Sequence, residues 1–353
     1  MSTKLTLAFV CISTFLLAQD PHFSQFYNAQ TFTNPAFMGA YEGSMRGTLI
    51  YRSQWASVLD DNAFRTVGGS FDSRFPVSKH DLMALGMNIV NDQSGVSNFN
   101  IFRAHLGGSY QKKLGGDIRR YSSKRNDQYV NVGFQVGAGQ HRYDQNLWFS
   151  NQFNTTTGQV DLNASNGEPA FNRSTNLYMD LNAGVLWYAL LGDNKSVHIG
   201  ASLLHANAPS LNYRVDKNYT EILKWRWVTQ IGCELPFSST TSILPALIYQ
   251  KQGASQMTLG GANIRYNNQD WREVALRMGA WLRVANRLKK GQTIDALILS
   301  TVLETEKLNF GLSYDINVST LVPASNYRGA FELSITYMQP RQRRGRQVTC
   351  PRF

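Results

Sequence analysis

The stretch YVNVGFQVGAGQ, residues 129–140, decides the fold. Read as extended chain, it puts Val130, Val132, Phe134, Val136 and Ala138 on one side, and Asn131, Gly133, Gln135, Gly137 and Gly139 on the other. Period 2 sustained over such a length is a strand signal, because successive side chains point to opposite faces. The pattern recurs along the chain. NLYMDLNAGVLWYA (176–189) sets Leu177, Met179, Leu181, Ala183, Val185 and Trp187 against Tyr178, Asp180, Asn182 and Gly184. ILKWRWVTQIGCEL (222–235) sets Leu223, Trp225, Trp227, Ile231 and Leu235 against Lys224, Arg226, Gln230 and Glu234. VALRMGAWLRV (274–284), LNFGLSYDIN (308–317) and AFELSITY (330–337) repeat it.

About fourteen such runs are predicted, near 45–55, 64–74, 82–91, 98–112, 129–142, 176–190, 196–206, 222–235, 242–251, 256–266, 274–285, 293–303, 307–317 and 329–338. Gly68 and Gly69 dilute the second, and Pro245 weakens the ninth. A soluble β-sandwich or propeller is the rival reading. Its strands average five or six residues, whereas these run ten to fifteen. Eleven residues at about 3.3 Å each, tilted by ~40°, rise roughly 28 Å, close to the apolar band of an outer-membrane barrel. Isolated charges on the polar face suit a wet lumen better than a dry core. The expected fold is therefore all-β: a transmembrane antiparallel β-barrel of about 14 strands.

The N-terminus fits export. One Lys precedes the apolar run LTLAFVCISTFLLA, and Gln19 begins a polar stretch, so residues 1–18 read as a signal peptide cleaved after Ala18. After that, no apolar run approaches the ~20 residues of a spanning helix. Charged residues make up only 17% of the chain, against a usual ~25%, as suits a protein with one face in lipid. The net charge of +11, in an exported chain, points to anionic lipid headgroups such as lipopolysaccharide, or an acidic partner. There is no nucleic-acid-binding signature. Cys233 and Cys350 make no disulfide framework; Cys233 is expected on the lipid side.

If the first strand runs outward, segments 143–175 and 207–221 fall outside, and the turns 191–195 and 303–307 fall inside. Segment 113–128 is then a long basic periplasmic loop, and an even strand count leaves both termini in the periplasm. Domain organisation follows: residues 1–18 the signal, 19–44 an N-terminal segment, 45–338 the barrel and 339–353 a basic tail.

No catalytic motif appears: no HExxH, GxSxG, CxxC or Walker-type loop. Neither an enzyme nor a cofactor is expected. The six histidines are scattered, and His198 and His205, seven apart on one expected strand, should face opposite ways. One lumen cluster can be derived. Arg52 and Gln54 share the inward face of the first strand, Asp315 and Asn317 that of the thirteenth, and Glu332 lies inward on the fourteenth. Closure brings these strands side by side at ~4.8 Å spacing. Arg52 should reach Glu332, and Asp315 is within its range, so a charge cluster latching the seam is expected.

Residues 19–43, QDPHFSQFYNAQTFTNPAFMGAYEG, followed by YRSQW (51–55), resemble the N-terminal signature of the PorP/SprF family. GLSYDINVSTL (311–321), GAFELSITY (329–337) and the terminal CPRF (350–353) resemble it further. Between about 100 and 300 the likeness is in strand pattern only. The resemblance implies an outer-membrane component of the type IX secretion system of the Bacteroidetes. It further implies partners: large secreted adhesins bearing a C-terminal signal, with roles in surface retention and gliding motility, and periplasmic components of the machinery. The alternative is a passive channel for small or hydrophobic solutes.

The N-terminal segment then needs a place. Phe23, Phe26, Tyr27, Phe32 and Phe37 are too apolar for a free tail. Asn34-Pro35 favours a turn. The segment is expected to plug the lumen, brace the inner rim, or dock a periplasmic partner. The tail, with Arg341, Arg343, Arg344, Arg346 and Cys350, is read either as a solvated stop or as a periplasmic docking tag.

Overall fold

Strands that are greasy on one side and wet on the other have no stable end to their sheet in a bilayer, where an unpaired edge leaves N–H and C=O groups unsatisfied. Here the sheet has no edge. In the computed structural model, fourteen antiparallel strands close into a barrel. The structure describes residues 20–340 apart from 79, 96, 116–125, 144–149, 162, 166–173, 193–194, 213–220, 268–273, 287–290 and 321. The barrel strands are β1 (Met45–Gln54), β2 (Phe64–Pro76), β3 (Leu82–Ser94), β4 (Phe99–Gly115), β5 (Asp127–Arg142), β6 (Tyr178–Leu190) and β7 (Ser196–Leu204). They continue as β8 (Arg226–Pro236), β9 (Thr241–Gln252), β10 (Ser255–Asn267), β11 (Ala275–Asn286), β12 (Gln292–Glu304), β13 (Leu308–Asn317) and β14 (Arg328–Gln339). Each pairs with its neighbour in sequence, and β1 pairs with β14 from Met45↔Gln339 to Gln54↔Ala330.

The alternation decides which face is which. On β1, Leu49 is 63% exposed, while Arg52, with the opposite parity, is 2% exposed. On β4, Leu106 is 65% exposed, and Arg103 is buried. Exposed aliphatic and aromatic side chains thus coat the outside and polar ones line the inside, the arrangement of a membrane barrel. Cys233 lies on the outward parity of β8 and is half-buried. The β8–β9 ladder lapses between Gly232↔Ala246 and Leu235↔Ile243. Pro245, which has no N–H to donate, sits in that gap.

Chain ends and long connections fall on opposite rims. Residues 44 and 340 flank the barrel at one end, where Ser44 N–H donates to the Gln339 carbonyl at 2.9 Å. The long connections from Arg142 to Tyr178 and from Leu204 to Arg226 leave from the other, which is therefore the extracellular end. Two expectations change. Leu223, predicted on the lipid side, precedes β8 and is buried with Tyr178 and Leu211. His205 does not continue the alternation of β7, because the strand ends at Leu204; with φ +56° it turns inward, and both it and His198 are buried.

Candidate functional site in the barrel lumen

Fourteen strands enclose a cylinder about 28 Å across at the backbone, too wide for wall side chains alone to fill. Residues 20–44 fill it. Their N-terminal end is at the extracellular mouth. The Asp20 N–H donates to Gln252 Oε1 at 3.0 Å, and its carboxylate meets Arg103 Nη2 at 2.5 Å, His205 Nε2 at 2.5 Å and Arg226 Nη1 at 3.6 Å. Behind it, His205 Nδ1 and His105 Nε2 each lie 2.9 Å from the Asp180 carboxylate. Burial alone would push the Asp20 carboxyl up, but Arg103, His205 and Arg226 outweigh it and hold the group well below the usual carboxylate range. Burial likewise presses His205 down; Asp20 and Asp180 reverse this and leave it above the ordinary imidazole value.

Four residues on, the segment meets the seam. Arg52 Nη1 lies 2.5 Å from Glu332 Oε1, and Arg52 Nη2 donates to Asp315 Oδ2 at 3.0 Å and to Gln54 Oε1 at 3.2 Å. Arg283 Nη1 reaches the same Asp315 oxygen at 2.7 Å, while its Nε bonds Asp295 at 2.7 Å. The successive amides of Ser24 and Gln25 donate to the two oxygens of Glu332 at 2.5 and 2.9 Å, and Ser24 Oγ donates to Asp315 at 2.9 Å. Two buried carboxylates thus face two guanidiniums and two backbone donors, so the charges compensate where isolated ones would be very costly. Asn317 stands apart from this group. It lies past the register shift at Asp315/Ile316 and bonds Ser325 and Ser319 at the rim instead.

Next come the aromatics. Phe26 meets the Trp281 ring edge-on at 5.3 Å between centroids, and Tyr27 stacks on it at 5.4 Å. Leu259, Ile298 and Val302, inward residues of β10 and β12, complete that apolar cluster. Phe23 and Phe32 pack at 5.6 Å on the other wall, around Ile50. A single helical turn, Gln30–Thr33, leads to Asn34, whose Oδ1 accepts from Ala36 N–H at 2.9 Å and caps the 3-10 turn Pro35–Phe37. The Asn34 amide donates to the wall carbonyls of Val185 and Ala201. Phe37 is buried with Tyr129, Leu186 and Tyr188. Near the inner rim, Arg46 bonds Asp72 at 3.0 Å, Gln30 at 3.0 Å and the Phe37 carbonyl at 3.0 Å. Arg74 Nε donates to the Gly43 carbonyl at 2.6 Å.

The wall is shaped for this segment. A Cβ on Gly133 would strike the backbone of Pro35 and Ala36, and one on Gly184 would strike the Asn34 side chain. Both glycines face inward. The alternation marks them as merely non-greasy, so their role as seats is not apparent from the pattern. The same holds for Trp281 and Ile298, apolar residues at inward parity. Asp20, Arg103, His105, Asp180 and His205 are likewise not connected by any spacing, since they come from the segment, from β4 and β6, and from the residue that follows β7. Among the described residues no group of His, Cys, Asp or Glu is arranged to hold a metal ion. Arg341, Arg343, Arg344, Arg346 and Cys350 lie outside the described residues.

A closed antiparallel barrel with an apolar coat and a polar, filled interior is an outer-membrane β-barrel protein. The chain belongs to the PorP/SprF family: the family described as type IX secretion system membrane protein PorP/SprF matches residues 16–337. No curated protein matches it. Among solved structures it is similar to a TodX monoaromatic hydrocarbon channel deltaS2 mutant, at 10% identity and TM-score 0.46, over 89% of this chain and 94% of that one. It is also similar to the Ralstonia pickettii toluene transporter TbuX, at 10% identity and TM-score 0.46, over 89% and 94%. A third is the CymD monoaromatic hydrocarbon channel, at 11% identity and TM-score 0.46, over 90% and 94%. These likenesses concern the barrel.

Proposed function

We propose that this type IX secretion barrel is an anchor, docking secreted surface proteins such as adhesins at its extracellular loops and meeting other secretion components at its periplasmic rim, and that it is not a conduit. The supporting observation is the N-terminal segment. Its aromatic rings are spent on the barrel wall, and its polar groups are bonded to wall residues at both ends and in the middle. A lumen filled in this way favours an anchor over an open, passive porin. Family membership also suggests a non-enzymatic role.

This reading makes the lumen a stiffener and leaves the rims to partners. Phe23, Phe26, Tyr27 and Phe37 are buried, so a partner at the inner rim must contact the barrel turns or the basic tail rather than these rings. The test is affinity capture of the tagged protein from native outer membranes. Recovery of a large exported protein, or of periplasmic secretion components, supports the anchor. Recovery of the barrel alone, together with solute flux through it, rejects it.

A further inference from the structure

The lumen segment has a direction, and it is the opposite of a periplasmic tail folded up from below. Its C-terminal end, Gly43 and Ser44, is fixed at the inner rim beside Gln339 and Arg74. Its N-terminal end, Asp20, is bonded by residues at the other rim: Arg226 opens β8, Gln252 closes β9, and His205 follows β7. All three belong to the rim from which the long connections after β5 and β7 leave. Crossing an apolar band of ~25 Å needs about eight extended residues; the stretch from 20 to 44 is long enough even with its helical turns.

We propose that the segment threads the whole barrel and presents the processed N-terminus of the chain on the cell-surface side, with the Asp20 site acting as its receptor. That site is built for an acidic chain end. Two guanidiniums and an imidazole converge on one carboxylate, and a side-chain amide oxygen takes the adjoining backbone N–H. Phe26, Tyr27 and Phe37 fill the lumen below it, so the end at Asp20 faces the extracellular mouth. This holds whichever partner the barrel anchors.

The experiment places a short epitope at one of three positions in the full chain: between Gln19 and Asp20, after Glu42, or after Gly158. Antibody access is compared on intact cells and on cells with a permeabilised outer membrane. Glu42 is exposed at the inner rim and Gly158 in an extracellular turn, so they report the two sides. The expected result groups the Gln19/Asp20 tag with Gly158, reached on intact cells, and leaves the Glu42 tag reached only after permeabilisation. Grouping of the Gln19/Asp20 tag with Glu42 overturns the proposal. Should that insertion prevent formation of a heat-modifiable barrel, a His22→Cys, Gln252→Cys pair replaces it. These two residues border one small cavity of about 20 Å³ at the outer end of β9. A short bismaleimide is expected to join them in purified protein; no cross-linking, with each single thiol reactive, rejects the threading. Loss of cargo capture would leave both results unchanged.

Discussion

Arg52 of the first strand and Glu332 of the last are direct register partners, and their charged groups lie 2.5 Å apart. The amides of Ser24 and Gln25 close on the same carboxylate. Barrel closure and lumen filling are thereby one interaction: the seam carries the group that holds the segment, and the segment supplies donors that the seam needs.

Removing one member of such a group leaves a buried charge without its partner, which costs about 3–5 kcal/mol. Arg52→Ala is accordingly expected to lower the thermal unfolding midpoint in detergent and weaken the heat-modifiable band on gels. Arg52→Lys should recover only part of the loss, since an ammonium cannot fork between Glu332 and Asp315. An unchanged midpoint for Arg52→Ala would remove the latch from the account.

The aromatic contact is separable from the charges. Tyr27→Ala and Trp281→Ala each delete a large buried ring, for about 3–5 kcal/mol. Because the rings stack, the double variant should cost clearly less than the sum of the singles. Additive costs would mean that the two rings do not share a contact.

A side chain at Gly133 would collide with the Pro35–Ala36 backbone, whereas the outward face of β5 is untouched. Overpacking of this kind costs about 1–3 kcal/mol. Gly133→Val is expected to unseat the segment while the barrel persists, so that added protease trims the N-terminus from an otherwise resistant core. Equal protection of wild type and variant would show that the seat is slack.

The extracellular tip should respond to pH from both sides. Asp20 is held below its ordinary value, so its contribution is complete above the usual carboxylate range and is lost as pH falls through its depressed value. His205, facing Asp20, Asp180 and Arg103, is raised; its contribution is complete below ordinary imidazole values and is lost as pH rises through its raised one. The tip is therefore tightest in the mildly acid range and loosens toward alkaline pH. Hydrogen exchange of the Asp20–Ser24 amides should quicken accordingly, and His205→Gln should abolish the alkaline change. A flat profile in the wild type would contradict the ionic description.

What sequence could reveal here follows from what period 2 encodes. Alternation from residue 129 to 140 is written by lipid on one side and water on the other, so strands and faces were legible, and Arg52, Asp315 and Glu332 could be placed near one another by counting. Filling of the lumen obeys no period. Trp281 and Ile298 break the polar parity only because a separate piece of chain covers them, and Gly133 and Gly184 are small for the same reason. His205 escaped because the strand ends one residue earlier and a left-handed turn redirects it. Asn317 faces inward as its parity requires, but its bonds go to Ser319 and Ser325 at the rim, which a residue count cannot see. The direction of residues 20–44 is a tertiary fact, fixed by Arg103, Arg226 and Gln252, which lie far apart in the chain.

The central claim is that the barrel is closed by its own N-terminal segment. It is tested most directly by single-channel recording of the purified full-length protein in planar bilayers, beside a variant lacking residues 20–38. The intact protein should be electrically silent, and the truncated barrel, where it folds, should conduct. A steady ion conductance from the intact, heat-modifiable protein would contradict it.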